Sequence, residues 1–146
     1  MPSLGQLDVS SFNTARVTDM SGMFNDCSAL AVLDVSGFDT SRVADMDTMF
    51  FGCDSLAALD VSSFSTASVT DMGHMFSGCS SLGQLDVSSF NTARVTDTSG
   101  MFQSCSVEFL DLSSFDTSKV SNGSYMLDCN KLRKVTLGER FVFKAE

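Results

Sequence analysis

The sequence predicts an α/β repeat solenoid, a stack of ~26-residue units that each supply one parallel strand and one short helix. Three observations lead there. The seventeen residues Ser3 to Asp19, S-L-G-Q-L-D-V-S-S-F-N-T-A-R-V-T-D, recur letter for letter at Ser81 to Asp97. Leu7, Leu33, Leu59 and Leu85 follow one another at intervals of 26, and Leu110 and Val135 continue the series at 25. Within each unit the apolar spacing changes from every second residue to every third or fourth. A period of this length marks a stacked array, because no single unit could bury its own apolar face. The expected layout is about five repeats over residues 1–137 and a C-terminal cap segment over 138–146.

Leu30 to Ser55 shows how each element is read. Leu30, Leu33, Val35 and Phe38 form L-x-x-L-x-V-x-x-F, and alternation turns Leu33 and Val35 inward and Val32, Asp34 and Ser36 outward. Gly37 and Asp39-Thr40-Ser41 are turn formers that end the strand. Val43, Met46, Met49, Phe50 and Cys53 then fall at steps of 3, 3, 1 and 3, the apolar stripe of a short helix. Asp45 stands where an N-cap belongs and Gly52 where the helix would stop. Six strands are expected, at Leu4–Val9, Leu30–Val35, Leu56–Val61, Leu82–Val87, Val107–Leu112 and Leu132–Leu137, the first five each followed by a helix around M-F-x-x-C.

Stacking converts these positions into columns. Phe12, Phe38, Phe64, Phe90 and Phe115 form one, and Met23, Met49, Met75 and Met101 another. Phe24, Phe50, Phe76 and Phe102 form a third, with Met126 expected in its next place. Toward the C-terminus Thr98 replaces the methionine of Met20, Met46 and Met72, and single residues are lost between Cys105 and Leu110 and between Val120 and Cys129.

The string V-x-x-M-x-x-M-F-x-x-C-x-x-L followed by L-D-V-S-S-F resembles the bacterial surface-protein 26-residue repeat. That repeat belongs to the broader BspA-like leucine-rich repeats, which carry V-x-x-I-G-x-x-A-F-x-x-C-x-x-L. The resemblance runs from residue 3 to about 137. It implies a right-handed, leucine-rich-repeat-like solenoid from a secreted or surface-anchored bacterial protein, adhesin-like in role. It brings no catalytic residues with it.

Charge and composition narrow the function. Residues 1–130 carry sixteen acidic and four basic side chains, whereas residues 131–146 carry five basic and two acidic ones. An acidic body speaks against nucleic acid, which needs a basic stripe. No apolar run approaches the ~18 residues of a membrane span, and no charged-then-apolar leader opens the chain. Met1-Pro2 precedes a repeat entered partway through, so the chain reads as a piece of a longer protein.

No catalytic, cofactor or metal site is expected. Cys27, Cys53, Cys79, Cys105 and Cys129 occur one per repeat, without C-x-x-C or a partnering histidine. They read as buried free thiols, because stacked equivalents point the same way whereas a disulfide needs converging side chains. His74 and Tyr125 have no counterparts in the other copies. Asp8, Asp34, Asp60, Asp86 and Asp111 form an outward ladder on the sheet, and Asp19, Asp45, Asp71 and Asp97 a second one at the helix starts. Among exposed positions Phe51 and Phe109 carry the most weight, since aromatics are favoured interface anchors.

The expected function is a non-enzymatic, adhesin-like binding module, extracellular or on the cell surface. Its partner would be a protein on a host or neighbouring cell. Asp34, Asp60, Asp86 and Phe109 are the candidate binding surface. A structural spacer that displays another domain is the alternative. The unpaired N-terminal edge further predicts self-association.

Overall fold

The computed structural model describes residues 4–142. Residues 1–3 and the last four of the expected cap lie outside it. The copies stack in register, and the columns are buried as expected. Phe38, Phe64, Phe90 and Phe115 are inside, as are Met49, Met75 and Met101. Phe24, Phe50, Phe76 and Phe102 stack with centroids 5.6, 5.7 and 5.8 Å apart and near-parallel planes. The exceptions are Phe12 and Met23, each the first of its column among the described residues, which are 48% and 36% exposed.

The α/β solenoid with a helix in every repeat is not what the chain forms. Among the described residues there is no helix, and only two strands exist, β1 (Phe109–Leu112) and β2 (Lys134–Leu137). They pair in parallel with Phe109 opposite Lys134 and lie inside the last two expected strands. Of the other four expected strands, the first two share one isolated bridge, Gln6 to Val32.

The hydrogen bonds explain why the helix fails. A helix needs each N–H to reach the carbonyl four residues back. Here Met46, Thr48, Phe50 and Gly52 instead donate to Asp71, Gly73, Met75 and Ser77 of the next copy, at 2.9 to 3.0 Å. The residues between them close tight turns, Met49 N–H to the Met46 carbonyl and Cys53 N–H to that of Phe50. Thr48 and Gly52 have φ of 55° and 71°, in the left-handed region. Two such residues per turn segment, Gly22 and Asp26 in the first copy and His74 and Gly78 in the third, exclude a right-handed helix. The M-F-x-x-C segment is therefore a chain of turns whose outward N–H groups and carbonyls tie one copy to the next.

The strands are short for a related reason. Asp8, Asp34, Asp60, Asp86 and Asp111 each accept the N–H of the serine two residues on, at 2.9 to 3.0 Å. Such local side-chain bonds compete with a strand ladder.

Two details went unseen in the sequence. Thr14, Thr40, Thr66, Thr92 and Thr117 form a buried column. The Thr40 hydroxyl donates to the Ser65 carbonyl at 3.0 Å and accepts the Ser65 N–H at 2.8 Å, and the other four do the same to their neighbours. One hydroxyl thus satisfies both backbone groups of the facing residue and ties one copy to the next. The turn bonds also place Met126 after Met101, since both donate to the residue three back, so Leu127 and not Met126 follows Phe102. The residue lost before Cys129 is the second left-handed one, present as Ser104 in the fourth copy and absent from the fifth.

All five cysteines are free, four of them buried and Cys129 half-buried. The Cys53 and Cys79 thiols donate to the Phe24 and Phe50 carbonyls of the preceding copy, both at 3.2 Å. No helix among the described residues is long and apolar enough to cross a membrane.

Candidate binding face

Asp34, Asp60 and Asp86 stand exposed in a row, one per copy. Each carboxylate folds back on its own chain. The Ser36, Ser62 and Ser88 hydroxyls, and then their N–H groups at 2.9 Å, hold the three acids below the ordinary carboxylate value of 3.8. Neighbouring carboxylates oppose this weakly, Asp60 and Asp8 acting on Asp34, and Asp111 and Asp60 on Asp86. The row is therefore fully charged at neutral pH, with each carboxylate held by its serine.

Phe109 projects from the first residue of β1 and is 57% exposed. The Arg133 guanidinium lies over its ring, 5.9 Å from the centroid, within cation–π range. A shallow groove of about 410 Å³ runs between Leu85–Ser88 and Phe109–Asp111, with Lys134 and Thr136 at its far side. Asp86 and Phe109 share this groove, whereas Asp34 and Asp60 lie further along the row and do not line it. The face thus joins an acidic row to an aromatic ring flanked by two cations. Phe51, the other exposed aromatic expected from sequence, is only partly exposed and meets the His74 ring edge-on at 6.2 Å.

The second acidic ladder is not a set of helix caps. Asp19, Asp45, Asp71 and Asp97 pair by parallel bridges from copy to copy, and each accepts the N–H two residues on at 2.8 to 2.9 Å. The third copy has a close approach here. A Cβ on Gly73 would meet the Oδ1 atoms of Asp47, Asp71 and Asp97 at 2.9, 3.2 and 3.3 Å. Burial first, and the neighbouring carboxylates after it, push Asp47 and Asp71 above the ordinary carboxylate range. Among the described residues no group of three such side chains is arranged to hold a metal ion. His74 has φ +54° and lies over Gly100, and its buried Nδ1 has no partner among the described residues.

Alternation in the sequence sufficed to place Asp34, Asp60, Asp86 and Phe109 outside. The convergence at Gly73 depends on the path of the turns and was not readable from spacing. Comparison with known proteins returns one family, described as "Mycoplasma protein of unknown function, DUF285", matched over residues 3–57 and 29–138. The two matches begin one period apart. No curated protein and no solved structure matches.

Proposed function

The chain belongs to that family, and we propose that it is a non-enzymatic binding module of a bacterial surface or secreted protein, related to the BspA-like repeats. Its partner is a protein on a host or neighbouring cell, and it binds through the face that carries Asp34, Asp60, Asp86 and Phe109. The observation that supports this most is the pairing of a fixed acidic row with a 57% exposed phenylalanine on one face. An exposed aromatic can anchor a contact while the charges steer the encounter.

Replacing the three aspartates by asparagine tests the proposal cleanly, because an asparagine Oδ1 can still accept each serine N–H and keep the turn. The triple variant should fold normally, attach less to cells or matrix protein, and show less salt dependence. Phe109→Ala should weaken attachment without changing its salt dependence. If the unaltered chain attaches to nothing, or all variants attach equally, the module is a spacer that displays another domain.

A further inference from the structure

The groove beside Phe109 has an acidic wall and a basic one. Asp86 and Asp111 stand on one side, Lys134 on the other, and Arg133 over the ring. All four side chains are exposed, and among the described residues none of them makes an ion pair. The carboxylates are fixed in place, because Asp86 accepts the Ser88 N–H at 2.9 Å and Asp111 the Ser113 N–H at 3.0 Å.

Parallel pairing sets Phe109 opposite Lys134 and Asp111 opposite Thr136. Phe109 therefore lies one strand spacing, ~4.8 Å, from Lys134 and one side-chain repeat, ~6.6 Å, from Asp111. The acidic and basic poles are then roughly 8 Å apart on the diagonal, with the ring at the corner between them. No other stretch of the face repeats this arrangement. The column that holds Phe109 and Lys134 reads Gln6, Val32, Ala58 and Gln84 in the earlier copies, with neither an aromatic nor a cation beside the Asp row.

We propose that the groove takes an extended segment of the protein partner in which a basic, an apolar and an acidic residue occupy alternate positions. This rests on the binding role proposed above and names the partner's chemistry at this end of the face. Alternate side chains of an extended chain share one side at ~6.6 Å intervals. The basic one meets Asp86 and Asp111, the apolar one packs on Phe109, and the acidic one meets Lys134 and Arg133.

Charge complementarity selects this occupant. An all-basic segment would set a cation against Lys134 and Arg133, and an all-acidic one would set an anion against Asp86 and Asp111. Like charges brought together exclude the wrong partner. The amino and carboxyl groups of a free amino acid, within ~3 Å of each other, are too close to span the poles. A second copy does not supply the pattern either, because nowhere in this chain do an acidic and a basic residue stand four positions apart.

The probe is a labelled heptapeptide, S-K-S-L-S-E-S, titrated into the full chain at low salt by fluorescence anisotropy. S-K-S-L-S-K-S and S-E-S-L-S-E-S are the controls. Saturable binding of the mixed peptide is expected, about tenfold or more tighter than either control. Lys134→Glu should erase its advantage over the all-basic peptide only, and Asp86→Lys/Asp111→Lys its advantage over the all-acidic peptide only. A general loss of structure would weaken all three peptides alike. Lys134→Glu changes one exposed side chain and decides the matter if the double variant does not fold. No saturable binding, equal binding of the three peptides, tighter binding of either control, or variants that leave the ranking unchanged would overturn the proposal. Displacement of the mixed peptide by phosphatidylcholine vesicles would also overturn it, since the groove would then take a lipid headgroup. If the chain attaches to cells through Phe109 and the acidic row yet prefers none of the peptides, this inference falls and the binding role stands. Attachment to nothing, with no peptide preferred, removes both.

Discussion

Asp71→Asn should make the protein more stable at neutral pH, although it alters a residue that repeats in almost every copy. The Oδ1 atoms of Asp47, Asp71 and Asp97 all lie within 3.3 Å of one point beside Gly73, so no two of them are more than about 6.5 Å apart. In water, unit charges at that separation repel by roughly 0.6 kcal/mol. Asp71 faces two such neighbours with Asp45 close behind, and it is only partly buried. Counter-ions and solvent reduce the repulsion, which leaves a gain on the order of 1 kcal/mol on removing the charge. Asparagine keeps an acceptor for the Gly73 N–H, now bonded at 2.8 Å, so the turn itself survives.

The pH dependence is fixed in sign. Burial raises the folded-state value of Asp71 above 3.8, so folding favours its protonated form. The penalty for the charge is full at neutral pH and fades as pH falls through the raised value toward 3.8. Urea unfolding followed by circular dichroism should therefore show Asp71→Asn ahead of the unaltered chain at neutral pH. The margin should shrink with added salt and close under acid conditions. Asp60→Asn serves as a contrast, because Asp60 is held below 3.8 by Ser62 and its charge is favoured in the fold. If Asp71→Asn is no more stable at neutral pH, or its margin ignores both salt and pH, the electrostatic account of this cluster is wrong.

Gly100→Ala should destabilise the fold by about 2 kcal/mol, since a left-handed residue with a Cβ costs roughly 1–2 kcal/mol and the new atom collides with the His74 ring. Thermal unfolding should show part of the loss recovered in Gly100→Ala/His74→Ala, and no recovery would disprove the contact. Native thiol titration should find Cys129 reacting before Cys53 and Cys79, because burial pushes its thiol only up to about 11, whereas burial pushes Cys53 up to about 12 and Cys79 higher still. All five should react after unfolding, and a mass lower by two hydrogens would show a disulfide in their place.

The amino-acid sequence alone determined the period, the order of the columns and which side chains lie inside. Copies that must interlock repeat their apolar residues at fixed places, and Phe50, Met49, Cys53 and Leu56 are buried whatever path the backbone takes between them. Alternation likewise placed Asp34, Asp60 and Phe109 outside. Only the tertiary structure decided the backbone itself. Apolar steps of 3 and 4 arise equally from a helix and from a run of tight turns, and the choice depends on where the N–H groups of Met46, Thr48, Phe50 and Gly52 go. A neighbouring copy offers carbonyls at the right spacing, so they bond outward and the helix is lost. One signal was present and unread: Gly22 and Gly100 share one column and Gly52 and Gly78 another, and all four are left-handed. The meeting of Asp47, Asp71 and Asp97 at Gly73 was beyond any reading of spacing, because it depends on the height between copies and on the absence of a Cβ in one of them.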